Sequence, residues 1–86
     1  MNETGCRDWL LSLDNGHGAL VQYLLALMTE FDGDLTQISS VWAEPREGQS
    51  LASCVDPEFW QVLGVRKAGH KLLFANGIAE LNRQAG

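Results

Sequence analysis

The chain has 86 residues, of which 45% are hydrophobic and 20% charged, and its six basic and eleven acidic side chains give a net charge of −5 at pH 7. This is the length and composition of one small folded domain, which leaves no room for a large enzyme with a separate cofactor domain. An acidic balance also disfavours general binding to nucleic acid or to anionic membranes, because both require a cationic surface.

The first predicted helix covers residues 6–13. Trp9, Leu10 and Leu13 fall on one face of a helix with 3.6 residues per turn. The run 14–18 follows, and its Asn-Gly pair and second glycine are typical of a turn. The sequence therefore predicts a short helix that ends at a turn.

Two more helices are predicted before the middle of the chain. Residues 20–31 carry apolar side chains at i, i+3, i+4, i+7, i+8 and i+11, which is the spacing of one buried helical face. Gly33 is the expected left-handed residue after this helix. Residues 35–42 contain enough apolar side chains for a short third helix. The polar run 44–50 holds a proline and a glycine, and it predicts a loop.

The last two helices have clear starting signals. Asp56 is a capping residue and Pro57 fits a first turn, so a fourth helix is predicted over 57–63, with Gly64 ending it. The final helix is predicted over 67–82. Its inward face is formed by His70, Phe74, Ile78 and Leu81.

Gly77 interrupts the final helix at a cost of about 1 kcal/mol relative to alanine. It indicates either close packing against another helix or a break at Asn76-Gly77. No strand alternation and no internal repeat are visible. The sequence predicts an all-α fold, a compact five-helix bundle with a long C-terminal helix. The domain is expected to cover 6–83, with flexible termini at 1–5 and 84–86.

Four side chains have the chemistry of metal ligands or catalytic groups: Cys6, His17, Cys54 and His70. Two distant cysteines without a CxxC spacing predict reduced thiols, one of them partly buried. His70 is assigned to helix packing and His17 to a loop, and no spacing fits a zinc site. Residues 32–34 resemble a calcium loop, but the required glutamate is missing. We expect no catalytic residue, no metal and no cofactor, and so no enzymatic activity.

The longest apolar run, 19–28, is about half of the roughly 20 residues that cross a membrane. Residues 1–4 lack the basic and then apolar pattern of a secretory signal. The expectation is a soluble intracellular protein, placed in the cytoplasm, with no membrane span.

The segment LGVRKAGHKLLFANGIAEL, residues 63–81, resembles the end of a sterile alpha motif (SAM) domain. In that family a short helix ends in Leu-Gly-Ile, a Gly-His-Arg follows, and a long terminal helix carries aliphatic side chains. Here Gly64-Val65 stands for the Gly-Ile and Gly69-His70-Lys71 for the Gly-His-Arg. The resemblance implies the SAM fold.

The resemblance extends over residues 7–82. Weaker matches lie in the opening Trp-Leu helix at Trp9, in the start of the second helix at Leu20 and in the turn after Phe31. The chain departs from the family by extra residues at 14–18 and by a longer connection at 44–55.

The charges are divided along the chain. Residues 1–58 carry a net charge of −8, and residues 59–86 a net charge of +3. Arg66, Lys67 and Lys71 lie at the predicted start of the last helix, where cations cost about 0.3–1 kcal/mol and free backbone N–H groups favour an anion. This placement predicts docking onto a carboxylate-rich surface. The alternative is that these are ordinary exposed cations whose charges are screened by salt.

The resemblance implies head-to-tail contact between one face at the start of the last helix and another over the middle helices. The first predicted face consists of Val65, Arg66, Lys67, Ala68, Gly69 and Lys71. The second predicted face consists of Glu30, Asp32, Asp34, Leu35 and Glu44. The expected function is a non-enzymatic protein–protein interaction module that self-associates or pairs with another SAM-like domain. The alternatives are an RNA-hairpin-binding SAM-like domain and a monomeric adaptor for an unrelated protein.

Overall fold

The computed structural model describes residues 3–85. The helices are α1 (Glu3–Leu13), α2 (Leu24–Phe31), α3 (Leu35–Ser39), α4 (Pro57–Leu63) and α5 (Ala68–Ala85), and two 3₁₀ turns cover Val21–Tyr23 and Ala52–Cys54. Within the described range there is no strand, only an isolated antiparallel bridge between Trp42 and Val55. The predicted all-α architecture of five helices with a long C-terminal helix is confirmed.

The outer helices are longer than predicted. α1 begins at Glu3 instead of residue 6, and Arg7 forms an exposed ion pair with Glu3, one turn earlier on the same helix. α5 continues to Ala85. The predicted flexible termini are therefore helical at residues 3–5 and 84–85, while residues 1, 2 and 86 lie outside the described part of the chain.

The second helix starts later than predicted. Residues 21–23 form a tight 3₁₀ turn, in which the backbone N–H of Tyr23 donates to the carbonyl of Leu20 at 3.0 Å. α2 begins only at Leu24. At its other end Asp32 takes the left-handed conformation itself (φ 57°), together with the predicted Gly33 (φ 62°).

α3 ends at Ser39, earlier than the predicted residue 42. The hydroxyl groups of Ser39 and Ser40 donate to the carbonyls of Thr36 and Gln37 at 2.8 and 2.6 Å. Serine hydroxyls that bond to backbone in this way compete with the helical pattern, and here they coincide with the last turn. The third helix is therefore a single short segment.

Two backbone hydrogen bonds close the long connection between α3 and α4. The N–H of Ala43 donates to the carbonyl of Cys54 at 2.8 Å, and the N–H of Asp56 donates to the carbonyl of Val41 at 2.9 Å. The polar loop 44–50 is thus an excursion whose ends are held together. This pairing also brings Val41 beside the start of α4.

α4 has the predicted boundaries. The carboxylate of Asp56 accepts the backbone N–H of Glu58 at 3.0 Å, and Pro57 occupies the first turn. Gly64 ends the helix in the left-handed region at φ 74°. A capped start and a glycine end fix this short helix locally.

Phe74 of α5 lies at the centre of the core and is fully buried. Its ring centroid is 5.5–6.2 Å from those of Trp9, Tyr23, Phe59 and Trp60. These rings come from α1, the first 3₁₀ turn and α4, so one side chain joins most of the bundle.

His70 belongs to the packing face of α5, as predicted. It is half-buried, and its Nδ1 lies 2.8 Å from the phenol oxygen of Tyr23. Burial raises the pKa of the Tyr23 phenol.

Both cysteines are free thiols and both are buried, whereas one was expected to be partly buried. Burial raises the pKa of the Cys6 thiol, which favours the unreactive protonated form.

α5 is continuous through Gly77, so the predicted alternative of a break is wrong. A methyl group added at Gly77 would overlap Cδ2 of Leu13, and this close approach of α1 to α5 is the packing that the glycine indicated. Farther along α5, Nδ2 of Asn82 donates to the carbonyl of Ser39 at 3.0 Å. These contacts hold α1 and α3 against the last helix.

Asp14 organises the turn after α1. Its buried carboxylate accepts the backbone N–H groups of Ala19 at 2.7 Å and Gly18 at 3.3 Å. Burial alone would raise the pKa of this carboxyl, but the hydrogen bonds from Ala19 and Gly18 and the charge of His17 hold the pKa below its usual value.

The lowered pKa of Asp14 predicts acid sensitivity of the fold. Its stabilisation is present above the unfolded-state pKa of about 3.9 and is lost as the pH falls through the lower folded-state pKa. Asp14→Asn should therefore remove part of the loss of stability below about pH 4. Urea unfolding at a series of pH values checks this, with the exposed Asp8→Asn as the matched control. Identical pH profiles for Asp14→Asn and the unmodified chain would contradict the assignment.

Candidate functional site

Three cations, Arg66, Lys67 and Lys71, lie at the N-terminal end of α5 and are called the basic tip. The carbonyl of Lys67 accepts the backbone N–H of Lys71 at 3.1 Å, so Lys67 directly precedes the helix. Arg66 and Lys67 are exposed, and Lys71 is half-buried. The structure therefore places these side chains at a helix end, as the sequence predicted.

No carboxylate neutralises the basic tip in the described chain. The two ion pairs found among residues 3–85 join Arg7 to Glu3 and Arg83 to Glu80. The first turn of α5 contains no acidic residue. The tip thus combines three side-chain charges with the positive end of an 18-residue helix.

The other residues of the first predicted face hold the basic tip in place and leave the backbone beside it accessible. Val65 is buried, and its N–H donates to the carbonyl of Trp60 at 2.9 Å, which holds the connection against α4. Ala68 and Gly69 are exposed, and the space where Gly69 would carry a side chain is empty. A partner can therefore approach the backbone at the start of α5.

A shallow depression of about 440 Å³ adjoins the tip. Arg66 and Lys71 line it together with Trp60 and Pro57, whereas Lys67 is not among its lining residues. Two of the three cations therefore border the same depression as the apolar side chains of Trp60 and Pro57.

Of the second predicted face, Glu30 lies in a pocket of about 250 Å³ between α2 and α4. The other carboxylates lining this pocket are Asp56 and Glu58. The apolar lining is formed by Phe31, Val41, Phe59 and Val62. We call this site, with its three carboxylates, the acidic pocket. Asp56 was predicted only as the cap of the fourth helix, and its place with Glu58 beside Glu30 was not predicted from the sequence.

The other acidic residues of the second face have local roles. The carboxylate of Asp32 accepts the side-chain N–H of Gln37 at 3.1 Å. Asp34 caps α3 by accepting the N–H of Thr36 at 2.8 Å. These bonds occupy part of the hydrogen-bonding capacity of both carboxylates.

The structure does not bring Leu35 and Glu44 into the acidic pocket. Leu35 lines a groove between α1 and α5. Glu44 lines a separate depression with Trp42 and Arg83. The predicted second face is therefore divided: Glu30 lines the acidic pocket, Leu35 and Glu44 line two other depressions, and Asp32 and Asp34 lie at the turn between α2 and α3.

Two features are absent from the described residues, a metal-binding cluster and a membrane-spanning helix. No group of three or more His, Cys, Asp or Glu side chains between residues 3 and 85 is arranged to hold a metal ion. None of the helices described combines the length and apolar character needed to cross a bilayer.

Family models, curated proteins and solved structures were each compared with the chain, and none matched.

Proposed function

We propose that this chain is a non-enzymatic protein–protein interaction module of the SAM-like kind. Its basic tip docks on the acidic pocket of a second copy or of a related domain. The observation that carries the proposal is the uncompensated charge of Arg66, Lys67 and Lys71 at the start of α5. Cations at a helix N-terminus cost about 0.3–1 kcal/mol each, and a docked carboxylate surface offsets that cost.

The acidic pocket supports the proposal as the acceptor. Its carboxylates surround apolar side chains, and Val62 is 37% exposed. A lysine or arginine suits such a site, because its methylene stem packs on apolar surface while its charged end reaches a carboxylate. Ala68 and Gly69 favour the fit, since small residues beside the cations allow close approach of the two chains.

The tip and the pocket lie on different flanks of α4. Pro57, Trp60 and Gln61 border the depression beside the tip, while Glu58 and Val62 border the acidic pocket. One copy therefore carries a donor and an acceptor surface at once. Such a heterologous contact repeats head to tail, and it forms a ring if the rotation closes or an open helical polymer if it does not.

Light scattering on the purified chain tests this proposal. At low salt the average molar mass should rise with protein concentration, and in about 0.5–1 M salt it should fall toward the 9.5 kDa of one chain. The reason is that charge complementarity sets the register and speed of such a contact, and salt screens it. A mass of 9.5 kDa at every concentration in low salt would contradict self-association.

A further inference from the structure

A further surface lies in the groove between α1 and α5, which shares no lining residue with the acidic pocket or with the depression beside the basic tip. This groove has a volume of about 550 Å³. Its inner wall on α5 consists of Leu73, Gly77 and Leu81, spaced i, i+4 and i+8, and its inner wall on α1 includes Trp9 and Leu13, spaced i and i+4. The three leucines are only half-buried, so the floor leaves apolar surface open to solvent.

The outer edges of the same groove are polar and acidic. α1 contributes Asp8 and Ser12, while α5 contributes Asn76, Glu80 and Gln84. No lysine, arginine or histidine is among the lining residues. The groove thus has an apolar floor between a carboxylate on each side.

The two carboxylates are available to a cationic partner. Asp8 is exposed and takes part in none of the ion pairs found in the described chain. Glu80 pairs with Arg83, but both side chains are largely solvated, and exposed pairs of this kind contribute about 0–1 kcal/mol. A cation that binds between Asp8 and Glu80 therefore has to displace only one weak, solvent-exposed ion pair.

We infer that the α1–α5 groove binds an amphipathic helix of a different protein, with leucine-like side chains on one face and lysine or arginine along its edges. The walls run over residues 5–13 of α1 and 73–84 of α5. At 1.5 Å per residue these walls are roughly 12–17 Å long, which matches two to three turns of a bound helix. An apolar stripe at i, i+4 and i+7 then faces the leucines, as in other helix-in-groove complexes.

The cations of this chain itself do not fit the groove. The basic tip is accompanied by the small residues Ala68 and Gly69 and by one exposed leucine, Leu72, which is not part of an exposed leucine stripe. The exposed large apolar side chains of the described chain, Leu25, Leu51, Val62 and Leu72, lie singly on different elements, so a second copy presents no leucine stripe flanked by cations. The occupant is therefore a partner helix and not a second copy.

Fluorescence anisotropy with a labelled twelve-residue peptide tests this inference. The probe carries leucines at i, i+3, i+4 and i+7 with lysines at its other positions, and a glutamate-for-lysine version is its matched control. The full chain should bind the lysine peptide at least tenfold more tightly than the glutamate peptide. The double variant Asp8→Lys, Glu80→Lys should lose at least tenfold in affinity, while Glu47→Lys in the exposed loop should retain it. Circular dichroism checks that each variant is folded.

NMR of ¹⁵N-labelled protein locates the bound peptide. Chemical-shift changes should concentrate at Gly5, Ser12, Gly77 and the indole of Trp9. Equal affinity for both peptides, shifts confined to the acidic pocket, or loss of binding in Glu30→Lys would overturn the inference. Loss of self-association in the Asp8→Lys, Glu80→Lys variant would overturn it as well, because the groove would then serve a second copy.

Discussion

Replacing Phe74 by alanine is expected to lower the free energy of unfolding by about 3–5 kcal/mol. Phe74 is fully buried and packs against the rings of Trp9, Tyr23, Phe59 and Trp60. The change removes those contacts and leaves a cavity that the surrounding rings fill only in part. A domain of this size is only marginally stable, so the variant should be largely unfolded at physiological temperature.

Urea unfolding followed by circular dichroism measures this effect. The matched control is Leu72→Ala, two positions earlier on α5, where the side chain is 51% exposed. A surface change of this kind should shift the free energy of unfolding by about 0.5 kcal/mol or less. A loss below about 1 kcal/mol in Phe74→Ala would contradict the central place given to this ring.

Reversing the charge of Lys67 should weaken self-association at least tenfold and leave the fold intact or more stable. Glu at this position complements the positive end of α5 and is favourable by about 0.3–1 kcal/mol. The substitution thus separates binding from folding, because the two effects have opposite signs. Sedimentation velocity gives the dissociation constant, thermal unfolding gives the stability, and Arg46→Glu in the exposed loop is the matched control.

Glu30→Lys is the corresponding change on the acidic side. Glu30 is exposed in the last turn of α2, where a cation is favourable, so this variant should also be folded. Asp34 is a poorer choice, because its carboxylate caps α3 and its loss costs stability by itself. Unchanged assembly in Glu30→Lys would show that the acidic pocket is not the acceptor.

Capping residues, turn residues and apolar spacing predicted the helices whose ends depend on nearby residues in the sequence. Asp56, Pro57 and Gly64 gave α4 its exact boundaries, and the apolar spacing located α5. α1 begins three residues earlier than expected, in a segment without the apolar spacing that marks its buried face. α2 and α3 were predicted too long, since apolar spacing alone does not distinguish a 3₁₀ turn from a helix or show where serine hydroxyls end one.

Of the two surfaces of the candidate site, the basic tip was predictable from the sequence and the acidic pocket was not. Arg66, Lys67 and Lys71 are neighbours in sequence, so their helix end could be inferred from spacing. The acidic pocket depends on the backbone pairing between Val41 and Asp56 across the loop 44–50, which no local pattern reveals. The α1–α5 groove likewise results from two helices at opposite ends of the chain.

The most direct test of the head-to-tail contact is an equimolar mixture of Lys67→Glu and Glu30→Lys studied by sedimentation velocity. Each variant retains one intact surface, so neither should assemble alone. The mixture should form a single heterodimer, through the tip of Glu30→Lys and the pocket of Lys67→Glu, and should grow no further. If both variants assemble separately as the unmodified chain does, or if the mixture stays monomeric while the unmodified chain assembles, the contact between tip and pocket is not the one this protein uses.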